Sequence, residues 1–451
     1  MKNPALLLAA VALFLASVST SYSQQGHQEK GGGEQSGNEG AQDPGPRGDP
    51  ISAGGFLDGL TAAQLAQAQD GAGRFGETET FPGGLGPGYN SGPFHACSEC
   101  HAQPAVGGSS PSMSAYPFLG GNPQVLVDAN AEGAANTIPS FINANGPVRE
   151  ARFVLFPDGT PDGGVHDLFT VAGRADAPSC TLAQPNFAAQ VAANNVIFRT
   201  PTPVFGAGLI ENIDDATILA NRAANASQKS ALGIAGVPNH NGNTGNISKF
   251  GWKAQNASLL MFAGEAYDVE VGVSNELFAA KRPEPGRTLP AGCKITATPD
   301  DLSNPGLAGP PVNSDITAFA AFMRVLAPPT PAPPTESTIR GNTVFVNVGC
   351  ALCHTPTLVT AASSEVSALS NVNANLFSDL LLHNMGSALS DRVSQGQAIG
   401  NQFRTTPLWR AFRHASCARA RTSRIRVPGE TSTWCVHMRL RPSALAMPRP
   451  R

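Results

Sequence analysis

Two short runs constrain this chain more than anything else in it: Cys97-Ser98-Glu99-Cys100-His101 and Cys350-Ala351-Leu352-Cys353-His354. Cys-x-x-Cys-His is the attachment sequence of c-type haem. Two thiols three positions apart reach the two vinyl groups of one porphyrin and form thioethers. The next residue, histidine, then lies under the iron as its proximal ligand. Either run alone also suits half of a zinc site or a redox dithiol. A zinc site wants a second Cys or His pair at short spacing, and neither run has one. A thioredoxin-like dithiol wants a strand–helix context, which the Gly/Pro-rich flanks do not supply. The expectation is therefore two covalently bound haem c groups. Cys97, Cys100, Cys350 and Cys353 are the anchors, and His101 and His354 are the proximal iron ligands.

The start of the chain supports that reading. Lys2 precedes a mostly apolar run from Leu6 to Val18, and Ser21-Tyr22-Ser23 offers small residues before a cut at Gln24. This is the pattern of an export signal over residues 1–23. The run is short for a membrane span, although an uncleaved anchor is the rival reading. The mature chain is expected to be periplasmic or secreted, with no stable membrane span. Net charge is −3. Residues 413–451 hold nine Arg and one Glu, a local +8, which leaves −11 on the rest. An acidic body argues against nucleic acid as a partner.

With 451 residues there is room for two or three domains. Residues 24–55, rich in Gly, Gln, Glu and Pro, read as a disordered tether. Residues 56–326 read as a first haem domain with insertions, and 327–337, with five prolines, as a stiff linker. A second cytochrome c-like unit spans 338–412, and 413–451 is a basic tail. The fold class expected is mainly α: two cytochrome c-like haem domains with long loops. Helices are expected over Leu57–Asp70, Ile213–Asn225, Thr317–Leu326 and Thr338–Val348, with a short buried helix over Phe377–His383. Cys180 and Cys293 are candidates for a disulfide in an oxidising compartment, although sequence alone does not show their proximity. Cys417 and Cys435, in the tail, receive no role. A weak repeat is visible. Each half runs from its Cys-Cys-His motif to an Arg-Thr, Pro, large-apolar motif, Arg199 to Phe205 in one and Arg404 to Trp409 in the other.

Beyond the haem motifs, several stretches carry a family resemblance. They are Gly84 to Asn90 (GLGPGYN), Arg199 to Ile210 (RTPTPVFGAGLI), Lys249 to Lys253 (KFGWK), Gly349 to Leu358 (GCALCHTPTL), Asp379 to Gly386 (DLLLHNMG) and Phe403 to Trp409 (FRTTPLW). In this order, over residues 56–412, they resemble the di-haem oxidoreductases related to bacterial cytochrome c peroxidases. The resemblance implies one low-spin haem as electron port and one high-spin haem that meets an oxidant. It leaves the substrate open: relatives reduce peroxide, oxidise protein side chains or cleave polymers with oxygen. After Trp409 the family continues with an apolar stretch, a His-Asp-Gly-Arg motif and a closing amphipathic helix. This chain has scattered Arg, Pro and Ser instead. The expectation is a reading frame lost near Phe412, with a basic tail that docks an acidic partner as the rival.

Other candidates follow from chemistry. A low-spin haem needs a second axial ligand, and His383 and Met385 follow the second motif at a workable distance. The plainer alternatives are a hydrogen-bonding core histidine and a methionine packing the haem edge. Met261 and His240 are weaker candidates, and His95 is a local or propionate contact. Arg199 and Arg404, equivalent in the repeat, offer planar forks to haem propionates, against the alternative of surface arginines. Trp252 is an aromatic placed to assist transfer between haems or simply to fill core. Peroxide cleavage needs an acid–base group, and sequence does not choose among Glu211, Glu265 and Glu270. The reading reached is an enzyme, a peroxidase-like oxidoreductase. Its expected partners are a small redox protein or quinol-linked electron donor, and peroxide or another small oxidant. The alternative is a di-haem cytochrome that only carries electrons.

Overall fold

The computed structural model describes residues 53–408, apart from 111–120, 129–135, 295–297, 305–311, 332 and 364. The expected signal, almost all of the tether, Trp409 and the basic tail with Cys417 and Cys435 lie outside these residues. In chain order the elements are α1 (Ala62–Arg74), β1 (Gly88–Tyr89), α2 (Cys97–Cys100), β2 (Glu150–Phe153), β3 (Val165–His166) and β4 (Phe169–Thr170). Then come α3 (Phe187–Ala192), β5 (Val196–Arg199), α4 (Ala207–Glu211), α5 (Asp215–Ala223), α6 (Ala226–Ala231), α7 (Leu259–Glu270) and α8 (Asp315–Val325). The second half contributes α9 (Glu336–Asn347), β6 (Leu358–Val359), β7 (Asn373–Ala374), β8 (Leu382–Asn384) and β9 (Gln402–Arg404).

The expectation of a mainly α fold with two cytochrome c-like domains is not met. Among the described residues helix accounts for 30% and strand for 13%, and the architecture is mixed. Four small sheets pair antiparallel: β1 with β4, β3-β2-β5 in that order, β6 with β7, and β8 with β9. The reason is local. Short apolar runs between Gly and Pro cannot extend into helices, so they pair across loops instead. Phe377–His383 shows this best. Phe377 and Leu380 take φ of 52° and 60°, which no right-handed helix accepts. Leu382–Asn384 then pairs with Gln402–Arg404.

The other expected helices are present with moved ends. The first begins at Ala62 because Thr61 is the residue able to cap it. The Thr61 hydroxyl accepts from Gln64 N at 3.2 Å, and Gln64 Oε1 accepts from Thr61 N at 2.9 Å, a reciprocal cap. Helix α8 starts at Ser314, whose hydroxyl accepts from Thr317 N. Helices α1 and α8 approach closely at Gly71, where a Cβ would lie 2.1 Å from the Ala318 carbonyl oxygen. Phe75, just past α1, packs on Phe319 and Phe322 with ring centroids 6.0 and 5.2 Å apart. The main core gathers Phe169, Phe205, Ile210, Ile213, Leu259, Ile316 and Phe322 around α7 and α8, all nearly inaccessible. Cys180 and Cys293 do form a disulfide, with S–S 2.05 Å.

The two halves are not equally covered. Helix α1, ahead of the first Cys motif, is sheathed by α8. Helix α9, ahead of the second, has no buried residue. Ile339, Val344, Val346 and Val348 are each more than half exposed. Among the described residues no helix is long and apolar enough to cross a membrane.

Because α1 and α8 touch through a glycine, Gly71→Ala is expected to overpack the contact and destabilise the fold by about 1–3 kcal/mol. Urea unfolding checks this. An unchanged midpoint would show that the helices can separate freely.

Candidate functional site

The first Cys motif opens on a short helix because Glu99 folds back over its own start. The Glu99 carboxylate accepts from Phe94 N and Ala96 N, each at 3.2 Å. This places Cys97 and Cys100 on one turn and His101 at its end. The imidazole is fixed from behind, its Nδ1 lying 3.1 Å from the Gly108 carbonyl oxygen. Phe75 meets it edge-on at 5.9 Å. Orientation of a ring through Nδ1 by a backbone carbonyl is the usual arrangement of a metal-ligating histidine, and the Thr202 backbone also lies within hydrogen-bonding reach of this ring. Burial holds His101 near 4, so the ring is neutral at pH 7. Burial likewise pushes the Cys97 thiol up to about 12 and Cys100 well above its ordinary value.

These residues line a cavity of about 1150 Å³, its open mouth included. Helix α7 turns one face to it through Phe262, Ala263, Ala266, Tyr267 and Glu270. Helix α8 adds Phe319 and Met323, one turn apart. Strand β2 adds Glu150 and Arg152, whose spacing of two puts both on one side of the strand. Arg199 stands directly across from Glu150 in the β2–β5 register. The cavity is thus apolar in its body and carries two arginines and two carboxyls. Glu270 is held well above the usual carboxylate range, by burial first and then by the Glu150 carboxyl, to which it is hydrogen-bonded.

The second motif follows α9 through Gly349, whose φ of 88° suits glycine alone. Its histidine is pinned in the same way, with His354 Nδ1 2.9 Å from the Phe377 carbonyl oxygen. His383 stands beside the anchor: Nδ1 lies 3.8 Å from Cys353 Sγ and Nε2 is 2.8 Å from Asp379 Oδ2. Burial works against a charge on His383, but Asp379 and the Cys353 sulfur outweigh it and raise the group to about 10. Met385 is 40% exposed.

Between the motifs, both repeat arginines converge on Gly251 and Trp252. Arg404 Nε donates to the Gly251 carbonyl, and its backbone N–H donates to the Trp252 carbonyl, each at 3.1 Å. The Arg199 guanidinium lies 5.2 Å over the Trp252 ring. Their charges are handled differently. Arg199 pairs with Asp391, which also binds the buried Lys253. Arg404 is buried with only carbonyl partners among the described residues, and burial lowers it to about 10. Of the remaining candidates, Glu211 is bound to Arg324 and Glu265 to Asn256, so Glu270 is the one at the cavity. His240 is exposed, His95 bonds to Ser91 at 3.1 Å, and the Met261 backbone N–H bonds to Ser258. Sequence reasoning missed Glu150, Arg152 and Tyr267. The alternation of Glu150 and Arg152, and the helical spacing of Ala263, Tyr267 and Glu270, were the signals that carried them. Among the described residues no three His, Cys, Asp or Glu side chains gather as a metal cluster.

The chain matches the family described as "di-haem oxidoreductase, putative peroxidase" over residues 148–421, and it belongs to that family. The matched stretch contains Cys350 to His354, begins after Cys97 to His101, and runs past Phe412 into the basic tail. No curated protein and no solved structure matches the chain.

Helix α7 buries acid on its other side as well. Asp268 has an oxygen with no hydrogen-bond partner, and burial raises it to about 7 despite Arg282 nearby. A carboxyl raised on folding favours the native state at low pH and loses that advantage as pH rises through 7. Asp268→Asn removes the ionisation. The melting temperature of the variant relative to the parent is expected to improve between pH 5 and pH 8. An offset that stays constant across that range would contradict this.

Proposed function

We propose that this chain is an exported di-haem c-type oxidoreductase of peroxidase type, with its oxidant-binding site in the cavity of the first Cys motif. The observation that carries the reading is one cavity holding Cys97, Cys100 and His101 together with the Glu150–Glu270 carboxyl pair. The residues present fit a haem. Paired thiols and an imidazole pinned at Nδ1 suit thioether attachment and axial ligation, and the apolar walls suit a porphyrin face. The second motif offers the same thiol pair and pinned histidine. Arg404 adds an independent argument. A buried guanidinium without an anion is costly, and a haem propionate would supply one. Arg199, on the cavity wall, is the matching candidate at the first site.

Haem bound there supplies a redox-active iron with a face open to a small oxidant. The chain's own groups do the rest. His101, neutral and oriented by Gly108, would hold the iron through its Nε2. Burial and Glu150 oppose the ionisation of Glu270 and hold it well above the usual carboxylate range. It is therefore the group that would supply a proton to an oxygen leaving a small oxidant, with the Glu150 carboxyl hydrogen-bonded beside it. The second motif serves as electron port, fed by a small redox protein or quinol-linked donor. Trp252 and the two arginines lie on the route between the motifs. Of the two sixth-ligand candidates, His383 has both ring nitrogens engaged, by Cys353 and Asp379, and Met385 is 40% exposed. The Cys180–Cys293 disulfide supports a site outside the cytoplasm.

Glu270→Gln keeps the shape and removes the acid. Hydrogen peroxide turnover is expected to fall at least about 100-fold, with haem absorbance unchanged. Turnover equal to the parent would remove Glu270 from the mechanism.

A further inference from the structure

Tyr267 lines the same cavity yet takes no part in the proton chemistry above. It is 4% exposed. Its hydroxyl donates to Glu79 Oε1 at 2.6 Å, and Asp315 Oδ2 is 3.2 Å away. A buried phenol needs one acceptor, and a carbonyl or amide would do. This one faces two carboxylates. Glu79 is half-buried and lies in the loop after α1. On the inner side the Tyr267 ring stacks edge-on against Phe319 at 5.2 Å. Phe319 meets Phe75 at 6.0 Å, and Phe75 meets His101 at 5.9 Å. A continuous run of rings therefore joins the proximal histidine of the first motif to a phenol already hydrogen-bonded to a base.

Resting on the peroxidase reading above, we infer that Tyr267 and Glu79 form a redox relay that carries an oxidising equivalent from the first site toward the protein surface. One electron would leave the phenol for a one-electron oxidant at the first site, such as peroxide acting through a haem held there, and that oxidant is reduced by one equivalent. The phenol O–H bond breaks, and its proton passes to the Glu79 carboxylate along the existing hydrogen bond. The product is a neutral tyrosyl radical beside a carboxylic acid. An external one-electron donor reduces the radical, and Glu79 returns the proton. The relay would let the enzyme oxidise one-electron donors too large to enter the cavity. Burial favours the acid form of Glu79, which sits near 7, so the carboxylate is a competent acceptor at neutral pH.

The test is freeze-quench electron paramagnetic resonance on the full haem-loaded protein. Radicals are generated in parallel samples by hydrogen peroxide and by flash-generated ruthenium(III) tris-bipyridine. The parent is expected to show an organic radical with both oxidants, and ring-deuterated tyrosine should narrow its hyperfine pattern. Tyr267→Phe should lower the signal at least tenfold, and Glu79→Gln severalfold, with haem absorbance unchanged in both. An equal signal in Tyr267→Phe, an unaltered pattern on deuteration, or no radical with the ruthenium oxidant overturns the relay. A radical with ruthenium but none with peroxide supports the relay and counts against the peroxidase reading instead.

Discussion

An imidazole that spends Nδ1 on a backbone carbonyl has its orientation fixed. Both halves of this chain make that commitment, His101 to Gly108 and His354 to Phe377. The surrounding structure follows from holding those rings still. Glu99 folds back to seat the first motif on a single turn, Gly349 turns the chain so that the second can follow α9, and an aromatic residue from the preceding helix region braces each histidine. Fixing the ligand in advance is what lets a metal site keep its geometry through a redox cycle.

The halves use that common device in different surroundings. The first site is walled by two packed helices and a strand pair, and its cavity gathers ionisable groups in an apolar body. Burial then does the chemical tuning: it holds His101 neutral and Glu270 well above the usual carboxylate range. Among the described residues nothing buries α9 at the second site, and its aliphatic side chains are exposed. A deep site with an acid pair suits reaction with a small oxidant, whereas a shallow site suits exchange of electrons with a partner.

The family was legible in the sequence, because its motifs need only local spacing. Arg199 and Arg404, offered as propionate contacts, fall at the ends of β5 and β9 and converge on Trp252. Helix ends were less legible because capping depends on single residues such as Thr61. The fold class was misread because apolar runs in a Gly/Pro-rich chain were taken as helical. Phe377 and Leu380 show the flaw: their left-handed backbone is set by packing and by the Ser378 and Asp379 side chains, not by periodicity. The acid pair was invisible for another reason. Glu150 and Glu270 are 120 positions apart, and only the placement of β2 against α7 brings them together.

All of this depends on porphyrins being bonded to the four motif cysteines. The most direct measurement is the intact mass of the mature protein expressed in a host competent for cytochrome c maturation. The account requires the polypeptide mass plus two haem groups that survive denaturation. A mass equal to the bare polypeptide, with free thiols at Cys97, Cys100, Cys350 and Cys353, would contradict it.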